Sequence, residues 1–216
     1  MIQPSHNTSS RDKILSAVRK IQQRTVVVSD NYRPEDVFFQ PEDLLAVFKD
    51  EVEAVAGQCN VFSSDVELYA SIAELVSERN WEYLVTADTT IAANLNNSGI
   101  AVRSPGNDVR SMPAAITSCE ALVARTGSVV MSSRPELGRQ LYAFAPVHLV
   151  VATFDQLVAF PEDALGLLQK RYSDGLPAAV TFVTGPSRTA DIEKTLVLGA
   201  HGPKELLIFV LKTKDE

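Results

Sequence analysis

Two cysteines, one tryptophan and three histidines are all that the 216 residues offer of their kinds. Cys59 and Cys119 lie far apart, so they supply neither a CxxC redox pair nor the four thiolates of an iron–sulfur cluster. Two inert buried thiols are the expectation. Basic charge is also short: 20 Lys and Arg stand against 27 Asp and Glu, a net charge of −7. With no Lys/Arg cluster to offset it, that balance repels phosphate backbones and argues against nucleic acid. Long hydrophobic runs are missing too. Leu206 to Leu211 has the length of a buried strand, whereas a membrane span needs about 18 apolar residues. Residues 1–10 are polar and lack the apolar stretch of a signal peptide, so the cytoplasm is the expected compartment. No GxGxxG, Walker A, GxSxG or HExxH pattern occurs, which leaves dinucleotide binding, P-loop chemistry, a nucleophile elbow and a metal site without support. No proline- or glycine-rich linker divides the chain. A single α/β domain is expected over 1–216, with a helical extension at 1–40 and a core at 41–213.

What is present is alternation. Ile14, Val18 and Ile21 recur at helical spacing within 9–24, with Ser9 or Ser10 as N-cap. Pro41-Glu42-Asp43 opens a helix that runs to about Val55 and stops at Gly57. A strand at 60–62, a helix from Asp65 to about Glu78, a strand at 83–86, a helix to about Leu95 and a strand at 100–102 follow. That rhythm predicts a largely parallel sheet flanked by helices. In the second half, 113–125 is ambiguous and reads as helical from Ser118, with Glu120 in its first turn. Residues 127–132, 148–153, 179–184 and 206–211 read as strands, and 161–172 as a helix.

The strongest local signal is Thr184-Gly185-Pro186-Ser187-Arg188-Thr189. It follows a buried-strand run, and Ala190-Asp191-Ile192-Glu193 after it reads as a helix start with acids in the first turn. Strand, glycine and hydroxyl turn, then helix aims free backbone N–H groups at an anion. Thr184, Ser187 and Thr189 add hydroxyl donors, Arg188 a forked cation, and Gly185 room for close approach. Simple N-capping by Ser187 or Thr189, with Arg188 solvated or paired to Asp191, is an equally good account.

Other candidates surround this loop. Asp88 follows a strand and either caps the next helix or faces a crevice at the strand ends. His148 heads an apolar strand, where a satisfied structural role is favoured. His201 depends on the path before it. If 190–198 is all helix, His201 lies at the opposite end of the sheet from the loop. If 195–198 is extended, it joins Thr184 and Arg188. Ser132-Ser133-Arg134 offers a second anion contact or a solvated turn. Glu120 and Glu136 are carboxylates without the glycine-rich setting of a CoA-transferase nucleophile. No catalytic set can be assigned.

The run TGPSRTADIE at 184–193 with LGAHGP at 198–203 resembles the carboxyl-terminal signature of the LUD domain family. ITSCEALVARTGSVVMSS at 116–133 and Pro146-Val147-His148 add to the likeness, which spans roughly 80–211. The family's best-known group is lactate utilization protein C. The resemblance implies a fold similar to the sugar-phosphate isomerase and CoA-transferase type. It also implies a role in a bacterial system that oxidises L-lactate to pyruvate beside two iron–sulfur partner proteins. This chain would be the subunit or accessory factor without cluster ligands, and the clusters would reside in the partners. An enzyme or sensor that binds a phosphorylated or CoA-linked metabolite at 184–189 is the alternative. Related sequences often carry an acid before the middle Thr-Gly; here Arg125 precedes Thr126-Gly127, so no acid/base role falls on that position.

Overall fold

Strands apolar on both faces build the centre of this chain. The computed structural model describes residues 10–22, 43–106, 111–134, 136, 138–190, 196–198 and 202–212. Two units divide it, 1–39 and 40–216. In the first, α1 (Ser10–Gln22) carries Asp12 in its first turn and exposes Ile14 and Leu15; Ser9 lies outside the described residues.

The second unit opens with α2 (Leu44–Ala54). Asp43 caps it by accepting from the Ala46 amide at 2.9 Å, satisfying one of the amides a helix start leaves unpaired. Pro41 and Glu42 fall outside the described residues. After β1 (Gln58–Phe62) comes α3 (Asp65–Glu78), whose N-cap is Ser64 rather than Asp65. Then follow β2 (Leu84–Val85), α4 (Thr89–Asn97), β3 (Val102–Arg103) and β4 (Ala115–Thr117). The middle segment holds β5 (Ala121–Val123) and β6 (Ser128–Ser132), then α5 (Arg139–Phe144) and β7 (Val147–Thr153). The chain goes on through β8 (Leu157–Val158), α6 (Pro161–Arg171) and β9 (Val180–Val183) to β10 (Arg188–Ala190), β11 (Leu196–Leu198) and β12 (Glu205–Leu211).

Six strands form the main sheet in the order β1-β12-β7-β4-β2-β3, and every pairing in it is parallel. The sequence expectation of an α/β fold with a largely parallel sheet flanked by helices therefore holds. Residues alternate between two cores. Leu206, Ile208 and Val210 of β12 pack with Phe48 and Val52 of α2 and with Leu122, Val129 and Met131. Leu207 and Phe209 turn the other way, onto Leu68 and Ile72 of α3 and Ile91 and Leu95 of α4. Burial of a Leu or Ile side chain contributes about 1.5–3 kcal/mol, so a strand buried on both faces is a strong organiser.

A second, four-stranded sheet runs β8-β5-β6-β9, with β6 antiparallel to both β5 and β9. One face joins the α2 core, and the other takes Ala164 and Leu168 of α6 onto Ala121, Val123 and Val130. The β5–β6 turn closes on Gly127 at φ 58°, where an added Cβ would lie 2.6 Å from the Val52 amide nitrogen. Only glycine lets α2 approach so closely.

Two expectations fail. Residues 118–123 are not helical: β4 and β5 are strands separated by Ser118-Cys119-Glu120, and a single 3-10 turn at Ala124–Thr126 follows. Burial on both faces removes the polar alternation that marks a strand, so the apolar run mimics a helix. The helix start expected at Ala190 fails as well, because Ala190 lies in a strand; residues 191–195 lie outside the described residues. β10 and β11 pair antiparallel, Arg188 with Leu198 and Ala190 with Leu196, which is the extended path for 196–198. Among the described residues no helix is long and apolar enough to cross a membrane.

Candidate functional site

The order of the main sheet places its crevice. From β2 the chain crosses through α4 to β3 on one side, while from β4 it proceeds to β7 on the other. Between β2 and β4 the connections thus diverge, and beyond the carboxyl ends of such strands α/β folds bind ligands. Asp88 and Ser118 stand there, after β2 and β4. The Ser118 hydroxyl donates to Asp88 Oδ2 at 2.8 Å. The other oxygen, Oδ1, caps α4 by accepting from the amides of Thr90 (2.9 Å) and Ile91 (3.1 Å). Thr86, buried beside them, accepts from the Asp88 amide at 3.1 Å. Asp88 thus caps the helix and also lines a small polar pocket of about 210 Å³ with Thr86, Thr89, Asn96 and Ser104; no residue of 184–187 lines it.

Ala87 is shared with a larger neighbouring cavity of about 450 Å³, bounded by Pro105, Ser133, Arg134, Gly138 and Arg139. Gly138 holds φ 55° there, and a Cβ on it would lie 2.8 Å from Leu141 Cδ1 and 3.3 Å from Ala87 Cβ. The loop bearing Arg139 is thereby pressed against the end of β2. Arg134 lies on the far side, its guanidinium 4.2 Å over the Tyr172 ring, a cation–π contact that fixes its direction.

Behind Arg134 sits a buried carboxylate. Glu120 is only 4% exposed and accepts from Ser132 Oγ (2.6 Å), the Tyr172 hydroxyl (2.8 Å) and Arg171 Nη1 (2.6 Å). Burial, and then the bond to Glu120, push the Tyr172 phenol above its ordinary pKa, so it stays a donor. With its oxygens taken, Glu120 is an anchor between the end of β4 and α6 rather than a free nucleophile. Glu136 is exposed.

The 184–187 loop has a different setting. It leaves β9, an edge strand of the second sheet, and leads directly into β10. Thr184 Oγ1 bonds Ser128 Oγ at 2.7 Å, and the Ser187 amide donates to the Pro203 carbonyl at 2.7 Å. Gly185, at φ 78°, is required because a Cβ would fall 2.7 Å from the Val55 carbonyl. A Cβ added to Gly202 would lie 3.0 Å from Ser187 Cβ, so residues 202–203 return to this loop. The side chains of Arg188 and Thr189, and all of Asp191, His201 and His6, lie outside what the structure describes.

His148 is buried, its Nε2 2.8 Å from Thr117 Oγ1. Burial lowers its pKa to about 3, so the ring is neutral near pH 7; it is buried as its place in β7 suggested, but only one ring nitrogen has a partner among the described residues. Its Nδ1 and the nearby Tyr142 hydroxyl are buried without partners among the described residues. Both cysteines are buried, and burial raises both thiols, Cys59 to about 11 and Cys119 further. Among the described residues no three His, Cys, Asp or Glu side chains gather as a metal site.

The sequence signal for this crevice was partial. Asp88 and the Ser132-Ser133-Arg134 turn were visible as strand-end residues, whereas Ser118, Arg139 and Tyr172 were not.

Comparison with known proteins identifies the family. The profile of the LUD domain family aligns with residues 45–211. An uncharacterized protein of Neisseria meningitidis is 39% identical over 90 residues, 41% of this chain and 38% of that protein. Lactate utilization protein C of Geobacillus thermodenitrificans is 25% identical across 94% of this chain and 80% of its own length. That of Geobacillus sp. strain WCH70 is 27% identical across 94% and 95%. The crystal structure of a DUF162 family protein from Deinococcus radiodurans superposes with a TM-score of 0.61 at 21% identity, covering 78% of this chain and 96% of that one. With the profile spanning most of its length, the chain belongs to the LUD domain family.

Proposed function

We propose that this chain is a lactate utilization protein, and that it works as the component without cluster ligands beside two iron–sulfur proteins that oxidise L-lactate to pyruvate. The likeness to lactate utilization protein C over 94% of the chain carries the reading. Two cysteines, both buried with raised pKa values, fall short of the thiolates a cluster needs, which is consistent with clusters held by the partners. In this reading the crevice at the ends of β2 and β4, closed by the Asp88–Ser118 bond, is where a ligand is held. The alternative, an anion loop at 184–189, differs in setting from the one the sequence suggested, because Arg188–Ala190 is a strand.

Affinity purification of the tagged chain from cells grown on L-lactate tests the assembly. Recovery of two iron–sulfur proteins is expected. Recovery of the chain alone under conditions that preserve complexes would contradict it.

A further inference from the structure

We propose that the cavity between Arg134 and Arg139 is an anion-binding subsite that clamps the carboxylate or phosphate of a small metabolite. The inference rests on the placement of the ligand crevice at the β2 and β4 ends, but not on the lactate role.

Four observations carry it. First, the two cations are unspent. Arg79, Arg125 and Arg171 pair with Glu205, Glu51 and Glu120, whereas neither Arg134 nor Arg139 has a carboxylate in ion-pair range among the described residues. Both line one cavity with Ser133. In a chain with net charge −7, two unpaired guanidinium groups at one opening make a local positive field against the global sign, which draws in small anions.

Second, the cavity is already shaped. At about 450 Å³ it falls within the roughly 300–1,000 Å³ of small-molecule sites.

Third, Arg134 is held rather than free. Tyr172 stacks under Arg134, and Glu120 fixes Tyr172 through its hydroxyl. The Arg134 amide bonds Ser132 Oγ at 3.3 Å, and Ser132 in turn bonds Glu120. Ser133 is tied to Ala179 in both directions, donating its amide to the carbonyl at 2.9 Å and accepting from the Ala179 amide at 3.1 Å. Gly138, next to Arg139, packs close to Ala87 beyond β2. Such preorganisation reduces the entropy lost on binding, and planar guanidinium groups suit bidentate capture of carboxylate or phosphate.

Fourth, Ala87 lines both this cavity and the polar pocket of Thr86, Asp88 and Ser104, so the two are neighbours. An anion clamped by the arginines would present the rest of its molecule to hydroxyl and carboxylate groups able to bond its own hydroxyls. The ligand class is therefore a hydroxylated anion.

The test is calorimetric titration of the purified full chain with inorganic phosphate and, separately, with pyruvate and L-lactate. Saturable binding of at least one is expected, weakened about ten- to a hundredfold in Arg139→Ala and in Arg134→Ala. Arg125→Ala, outside the cavity, should leave it unchanged. Phosphate binding alone identifies a phosphorylated metabolite; binding of the organic acids alone identifies a carboxylate. Matching thermal melts of the variants and the parent keep misfolding out of the reading. No saturable binding at millimolar concentrations, or binding indifferent to both arginine substitutions, overturns the proposal. Since partner recovery uses no ligand, its success or failure is read separately.

Discussion

Ser118 donates its hydroxyl to Asp88 across 2.8 Å, tying together two parallel strand ends that lie 30 positions apart in the chain. One carboxylate thus closes the ligand crevice with one oxygen and caps α4 with the other. Asp88→Ala should lower unfolding stability by about 1–2 kcal/mol, the usual cost of losing an N-cap with an added bond. Ser118→Ala should cost less, because only one exposed-side acceptor position is freed. In a double-mutant cycle the pair should show coupling of about 1 kcal/mol. Strictly additive effects in urea unfolding would mean the bond does not form.

The Glu120 anchor makes a stronger demand. Glu120→Ala strands Ser132, Tyr172 and Arg171 without their acceptor, and a loss of about 3 kcal/mol is expected. Glu120→Gln, which keeps one carbonyl acceptor, should recover part of it. The readout is the denaturation midpoint at constant slope. Equal stability for parent and alanine variant would show the carboxylate to be idle.

His148 sets a pH dependence with a definite sign. Burial lowers its pKa from the ordinary 6.5 to about 3, so between these values the unfolded chain holds a proton that the folded chain does not. Stability from this group is complete above pH 6.5 and is lost as pH falls through the window, by at most about 1.4 kcal/mol per unit. His148→Gln should flatten that slope while lowering stability near neutrality. An unchanged slope in the variant would place the acid sensitivity elsewhere.

The two thiols should be silent. Cys59 and Cys119 are buried and burial raises both pKa values, which suppresses the reactive thiolate. A chromogenic disulfide reagent should label neither in the native chain and both after denaturation. Rapid native labelling of either would contradict the burial.

Much of the fold was legible because its signals are local. Pro161 with Glu162 and Asp163 behind it announced α6, and the apolar run at 206–211 announced β12, which lies between β1 and β7. The segment 118–125 misled because β4 and β5 are wholly buried, and a run apolar on every side carries no period. At Ala190 the expected helix start gave way to the pairing of β10 with β11, an interaction between residues the local pattern does not connect. The site divided in the same way. Asp88 could be placed from its neighbours, but its Ser118 partner, and Tyr172 reaching Glu120 across 52 positions, are products of tertiary contact.

Growth on L-lactate as sole carbon source tests the central claim most directly, in the source organism with this chain's gene deleted. The account expects the deletion strain to fail on L-lactate yet grow on pyruvate. The parent sequence should restore growth, and Asp88→Asn combined with Arg139→Ala should not, at matched protein levels. Undiminished growth of the deletion strain on L-lactate would contradict the proposed role.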